Sequence, residues 1–162
     1  MGNLVSRQKR SARYLLLLAS FGFIASCTSS FAADDIKVNP HLDYNSDSND
    51  GPLFNSKNSD VGIRDGIPNY VIMFSDTCYN SKRQAKRTAD LYDEFKGRVA
   101  FVTINVDQSA PLSQAPIVRE HYKGSFPHLV ILDRSGKTVY DRAGEISTDN
   151  LRTILNSTLS AK

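Results

Sequence analysis

Cys78 and Ser81 stand in the segment Phe74-Ser75-Asp76-Thr77-Cys78-Tyr79-Asn80-Ser81, where an apolar run gives way to a helical pattern. A cysteine in the first turn of a helix meets unpaired N–H groups and the positive end of the helix dipole, and both favour the thiolate. A thiolate attacks disulfides, so the placement points to thiol–disulfide exchange. Ser81 has two readings, a hydrogen bond to that thiolate or an ordinary helix cap. Lys82, Arg83, Lys86 and Arg87 follow within two turns. They either form a solvated face or add positive charge that stabilises the thiolate and docks an acidic partner. Together with Asp90, Asp93 and Glu94 near the far end, they are placed against the helix dipole, which costs some stability. His128, just after Pro127 at a predicted strand start, is either a packed or surface residue or one that approaches Cys78. One cysteine and one histidine are too few ligands for a defined metal site, so neither a metal nor another cofactor is expected. His41 and His121 carry no partner signal.

The only other cysteine, Cys27, sits in a different setting. Arg7, Lys9, Arg10 and Arg13 precede the 12-residue apolar run Tyr14–Ala25, with no acidic residue before Cys27. This is a signal-peptide pattern, since a spanning helix needs about 20 residues. Two processing points compete. Ile24-Ala25-Ser26-Cys27 resembles a bacterial lipobox, which makes residues 1–26 the signal and Cys27 a lipidated anchor; Ser30-Phe31-Ala32 resembles an ordinary cleavage site, which makes it 1–32. On either route Cys78 is the one free thiol left, so no disulfide within the chain is available; this points to intermolecular pairing or a reactive thiol, with a buried, inert cysteine as the alternative. Removing residues 1–26 leaves 16 basic against 17 acidic side chains, a net charge of −1 in place of +3. The basic excess lies in the discarded segment, and nucleic acid is set aside as a partner.

Positioning Cys78 falls to the elements after Pro68, since 162 residues with 40% hydrophobic content suit one ordinary domain. Residues 27–67 read as a flexible tether or loosely packed N-terminal arm, rich in Asn, Asp, Ser, Gly and Pro with isolated apolar residues such as Leu42, Leu53, Phe54 and Ile63. Asp43-Tyr44-Asn45-Ser46-Asp47 fails as a calcium loop, because Ser48 replaces the sharp-turn glycine and Phe54 the closing glutamate. Residues 68–162 form the domain. Tyr70–Phe74 is a short continuously apolar run, as in a strand buried on both faces. From Cys78 to Lys96 a helix buries Ser81, Ala85, Thr88, Tyr92 and Phe95, and Gly97 ends it. Val99–Val106 is a second strand and Ser113–Tyr122 a weaker helical patch. Leu129–Leu132 and Thr138–Arg142 pair as a hairpin about Arg134-Ser135-Gly136, and Thr148 caps a last helix with Leu151, Ile154, Leu155 and Leu159 on one face. The fold class is α/β, a mixed sheet in the order β-α-β-α-β-β-α flanked by helices.

That order resembles the thioredoxin-like superfamily over residues 68–160. The resemblance rests on Cys78-x-x-Ser81 where the family has two cysteines, on Gly124-Ser125-Phe126-Pro127 before a strand, similar to the family's cis-proline loop, and on Ala143-Gly144 before the last helix. It implies that Cys78 and Ser81 form the reactive pair position. Thr77, Tyr79, Phe126 and Pro127 are then the positions that meet a bound polypeptide. The chain departs from the family where Ser81 replaces the resolving thiol, Ile72 the buried acid, and Thr77 the tryptophan before the cysteine. The expected function is thiol–disulfide exchange through a single cysteine on the periplasmic side of a bacterial membrane. Protein thiols and disulfides or glutathione are the partners, and the membrane is reached through a lipid anchor. The alternatives are a non-catalytic module that binds a peptide or protein partner, and thiol-dependent metal or cluster handling with an external ligand.

Overall fold

Asn69–Phe74 (β1) is buried along its whole length, because it is an inner strand of a four-stranded sheet ordered β2-β1-β3-β4. The computed structural model describes residues 35–55 and 61–161. Its further elements are α1 (Tyr79–Phe95), β2 (Ala100–Asn105), α2 (Ala115–His121), β3 (His128–Leu132), β4 (Thr138–Ala143) and α3 (Thr148–Ser160), the order the residue pattern predicts. β1 pairs parallel with β2 and antiparallel with β3, and β3 pairs antiparallel with β4. A parallel pair needs a crossover, which α1 supplies, whereas β3 and β4 need only the turn around Gly136, whose φ is +82°.

Side chains alternate across the sheet, so each strand feeds two cores. Tyr70, Ile72 and Phe74 of β1 join Leu129 and Ile131 of β3 beneath Leu91 and Phe95 of α1 and Leu151 and Leu155 of α3. Val71 and Met73 join Val130, Ile104 and Ile117 on the opposite face. α2 covers that face through Ile117 and Val118. Gly97, at φ +80°, ends α1 as expected. The cap of α3 falls one residue before the expected Thr148: Ser147 is extended and its hydroxyl accepts from the Asn150 N–H at 3.3 Å.

The arm before β1 differs from the expected tether. Ile36, Leu42, Leu53 and Phe54 are buried within the α1–α3 core. Val38 and Phe54 form an antiparallel bridge, and Phe54 meets the Phe74 ring edge-on at 5.1 Å. Four isolated apolar residues with no period suffice for this. They serve a meandering segment in which loop-to-loop hydrogen bonds, such as Asn39 N–H to the Leu53 carbonyl at 3.0 Å, take the place of a ladder. Cys27 and both expected processing points lie outside the described residues.

Candidate functional site

Cys78 is the N-cap of α1, partly exposed, with extended backbone (φ −84°, ψ 121°). The turn ahead of it is held tightly. The Asp107 carboxylate accepts from the Ser75 hydroxyl and from the Asp76 N–H, each at 2.9 Å. The Asp76 carboxylate in turn accepts from Asn105 Nδ2 at 2.6 Å and from the Leu53 N–H at 2.8 Å. The ends of β1 and β2 and the arm thus converge on the loop that delivers the cysteine. Ser81 is fully buried, and its hydroxyl accepts from the Ser75 N–H at 3.4 Å, stitching the first turn of α1 to the end of β1. This contact is neither of its two expected readings, a hydrogen bond to the Cys78 thiolate or a helix cap.

Just before His128, which pairs with Met73 of β1, the Phe126–Pro127 peptide is cis, and the Gly144 N–H donates to the Pro127 carbonyl at 2.7 Å. The loop before β3 and the loop after β4 are therefore one unit. Pro127 is buried, Phe126 is 37% exposed, Thr77 is exposed and Tyr79 is partly exposed.

Three of the four basic residues near the start of α1, Lys82, Arg83 and Arg87, are engaged by carboxylates. Arg83 and Arg87 both bind Glu145, Arg87 at 2.7 Å, and Arg83 also stacks over the Tyr79 ring at 4.7 Å. Burial pushes the Glu145 carboxyl up, but the two guanidinium groups outweigh this and hold it below the usual carboxylate range. Lys82 is fully buried, and its ammonium donates to the Ser46 carbonyl at 3.2 Å, Ser48 Oγ at 2.7 Å and Asp50 Oδ2 at 2.5 Å. The hydrogen bond from Lys82, with a further one from the Asp43 N–H, lowers Asp50 to about 2. The segment that fails as a calcium loop thus closes around an internal cation. Its Asp47 reaches the start of α1, where Oδ1 accepts from the Tyr79 N–H at 2.9 Å.

His128 does not serve Cys78. Its Nε2 bonds Asp141 Oδ1 at 2.6 Å, and His121 Nδ1 bonds Asp141 Oδ2 at 2.8 Å. As the first residue of β3 it shares the parity of Val130 and Leu132, so its ring faces α2, where Tyr122 lies 6.5 Å away. His121, which carries no partner signal in the sequence, is buried in this cluster and ties α2 to β4. Burial pushes the Asp141 carboxyl up, and the two imidazoles more than offset it, leaving it below its ordinary value. Among the described residues no three His, Cys, Asp or Glu side chains are grouped to hold a metal, and no helix is long and apolar enough to cross a membrane. Asp47, Asp50, Glu145 and the Asp141 cluster are the site-region residues that sequence reasoning misses. For Asp47 and Asp50 the density of Asp and Ser at 43–50 is a signal; Glu145 and Asp141 carry none.

No family model matches the chain. A thiol:disulfide interchange protein TxlA homolog from Synechocystis sp. is 31% identical over 85 residues, which cover 52% of this chain and 46% of the relative. The match thus spans less than half the length of that relative. The solution structure of an uncharacterised thioredoxin-like protein from Clostridium perfringens superposes with a TM-score of 0.51 at 22% identity, covering 60% of this chain and 75% of the other. The chain has the thioredoxin-like fold and is similar over 85 residues to a thiol:disulfide interchange protein homologue.

Proposed function

We propose that the chain carries out thiol–disulfide exchange through Cys78 alone. The observation that carries this reading is the position of Cys78, the one cysteine among the described residues, at the start of α1 in a fold shared with disulfide-exchange proteins. The Cys78 thiolate attacks a disulfide R–S–S–R′, forming Cys78–S–S–R and expelling R′S⁻, which takes up a proton. With Ser81 in place of a second cysteine, a thiol from outside must attack the mixed disulfide, regenerating the Cys78 thiolate and carrying R away in a new disulfide. Protein thiols and glutathione are the partner class. Thr77, Tyr79, Phe126 and Pro127 offer the surface on which a polypeptide would lie beside the cysteine. Export and anchoring through Cys27, on the periplasmic side of a bacterial membrane, belong to the same proposal.

Incubating the purified protein with glutathione disulfide tests the reaction. The expected product is a stable one-to-one mixed disulfide at Cys78, absent in Cys78→Ser, with little insulin reduction until glutathione is added. A second reading, a module that binds a protein partner without redox chemistry, is favoured by the ion pairs that commit Lys82, Arg83 and Arg87 to carboxylates. A folded protein whose Cys78 resists both alkylation and glutathione disulfide would replace the first reading with the second.

A further inference from the structure

Resting on the exchange reading, the geometry points to Asp47 as the residue that sets the reactivity of Cys78, holding the thiol less nucleophilic than the bare end of α1 would make it. Tyr79 is the first residue of α1 and Cys78 its N-cap. The unpaired N–H groups of a helix's first turn and the positive end of its dipole stabilise a nearby anion. A carboxylate already stands there, since Asp47 Oδ1 accepts from the Tyr79 N–H at 2.9 Å. A thiolate at the adjacent residue must then form beside a negative charge.

Asp47 is brought there by a strap anchored at several points. The buried Lys82 ammonium grips Ser46, Ser48 and Asp50 on both sides of it. Asp43 closes the loop, donating its N–H to Asp50 Oδ2 at 2.9 Å and accepting from the Asn45 N–H at 2.9 Å and from Ser46 Oγ at 2.5 Å. The cations on α1 are held by partners other than Asp47. Lys82 is paired with Asp50, Arg83 and Arg87 share the single carboxylate of Glu145, and Lys86 stands one turn further along, 5.6 Å from the Tyr44 ring. Asp47 touches neither substrate nor sulfur; it acts through the helix end.

The test is the alkylation rate of Cys78 in the purified full chain at pH 7. Iodoacetamide serves as the reagent, because it is neutral and its approach does not depend on the charge at position 47. Asp47→Asn keeps an acceptor for the Tyr79 N–H and removes the charge. It should react about two- to fivefold faster at low ionic strength, the range set by a single charge at a helix terminus. That gain should shrink in about 1 M salt, where the screening length falls to about 3 Å. Asp47→Glu should restore the wild-type rate, and the unfolding midpoint of Asp47→Asn should match the wild type. Equal rates for Asp47→Asn and wild type at low salt would overturn the role of Asp47 and leave the exchange reading standing. A gain that persists in high salt would do the same, since it would report a loosened strap. If the folded wild type forms no mixed disulfide with glutathione disulfide, the exchange reading falls and this inference with it.

Discussion

Truncating Leu53 decides whether the arm belongs to the cooperative unit. Leu53 is fully buried, in the cluster that holds Tyr70, Ile72 and Phe74, although it precedes β1 by 16 residues of chain. Leu53→Ala removes three carbons, worth roughly 0.8 kcal/mol each when buried, or about 2.4 kcal/mol of lost transfer energy. A cavity term adds to this at about 24 cal/mol per Å³ of space left unfilled. Leu53 also lines a cavity of about 300 Å³ that opens to solvent, so part of the new space is continuous with water and the cavity term is small. The sum is about 3 kcal/mol. With a urea m-value of about 2 kcal/mol per molar for a domain of this size, the midpoint should fall by about 1.5 M at unchanged slope. Leu112→Ala, at a side chain 94% exposed, is the control and should cost under about 0.5 kcal/mol. A loss below about 1 kcal/mol in Leu53→Ala would show that the arm unfolds independently of the sheet, and the packing account of residues 35–55 would fail.

Acid should loosen the strap before the sheet. Asp50, held at about 2 against an ordinary 3.8, contributes stability that is complete above its ordinary value and is lost as pH falls through about 2. Amide exchange at Ser46–Asp50 should therefore quicken between about pH 4 and 2 while Val71–Phe74 stays protected, and simultaneous loss in both would refute this. Asp141→Ala should cost about 2 kcal/mol or more in urea unfolding, because two buried imidazoles lose their partner. A change within 0.5 kcal/mol, read against the ~1–3 kcal/mol expected of a buried unpaired group, would mean that the cluster contributes nothing to holding α2 on β4. Growth with a fatty-acid analogue should label the protein through Cys27. A label that persists in Cys27→Ser would leave cleavage after Ala32 as the processing route.

Local pattern was enough for the seven elements and the place of Cys78. The apolar run Tyr70–Phe74 belongs in a strand covered on both faces, the three- and four-residue spacing from Ser81 to Phe95 makes one buried helical face, and the cysteine falls at the junction between them. Such signals are carried by neighbours in sequence, where the periods of strand and helix operate. The environment of the thiol was decided by the tertiary structure, because it depends on residues 30 to 60 positions away in the chain. Asp47 caps α1, Asp50 neutralises Lys82, and Glu145 takes both Arg83 and Arg87. A basic helix face in the sequence is a set of ion pairs in the fold. Likewise His128, beside the cis-proline in sequence, is turned to the other face of the sheet by strand parity and meets Asp141 and His121 there. The arm shows the same division, since apolar residues without a period give no local signal and are buried only because the α1–α3 core offers them a surface.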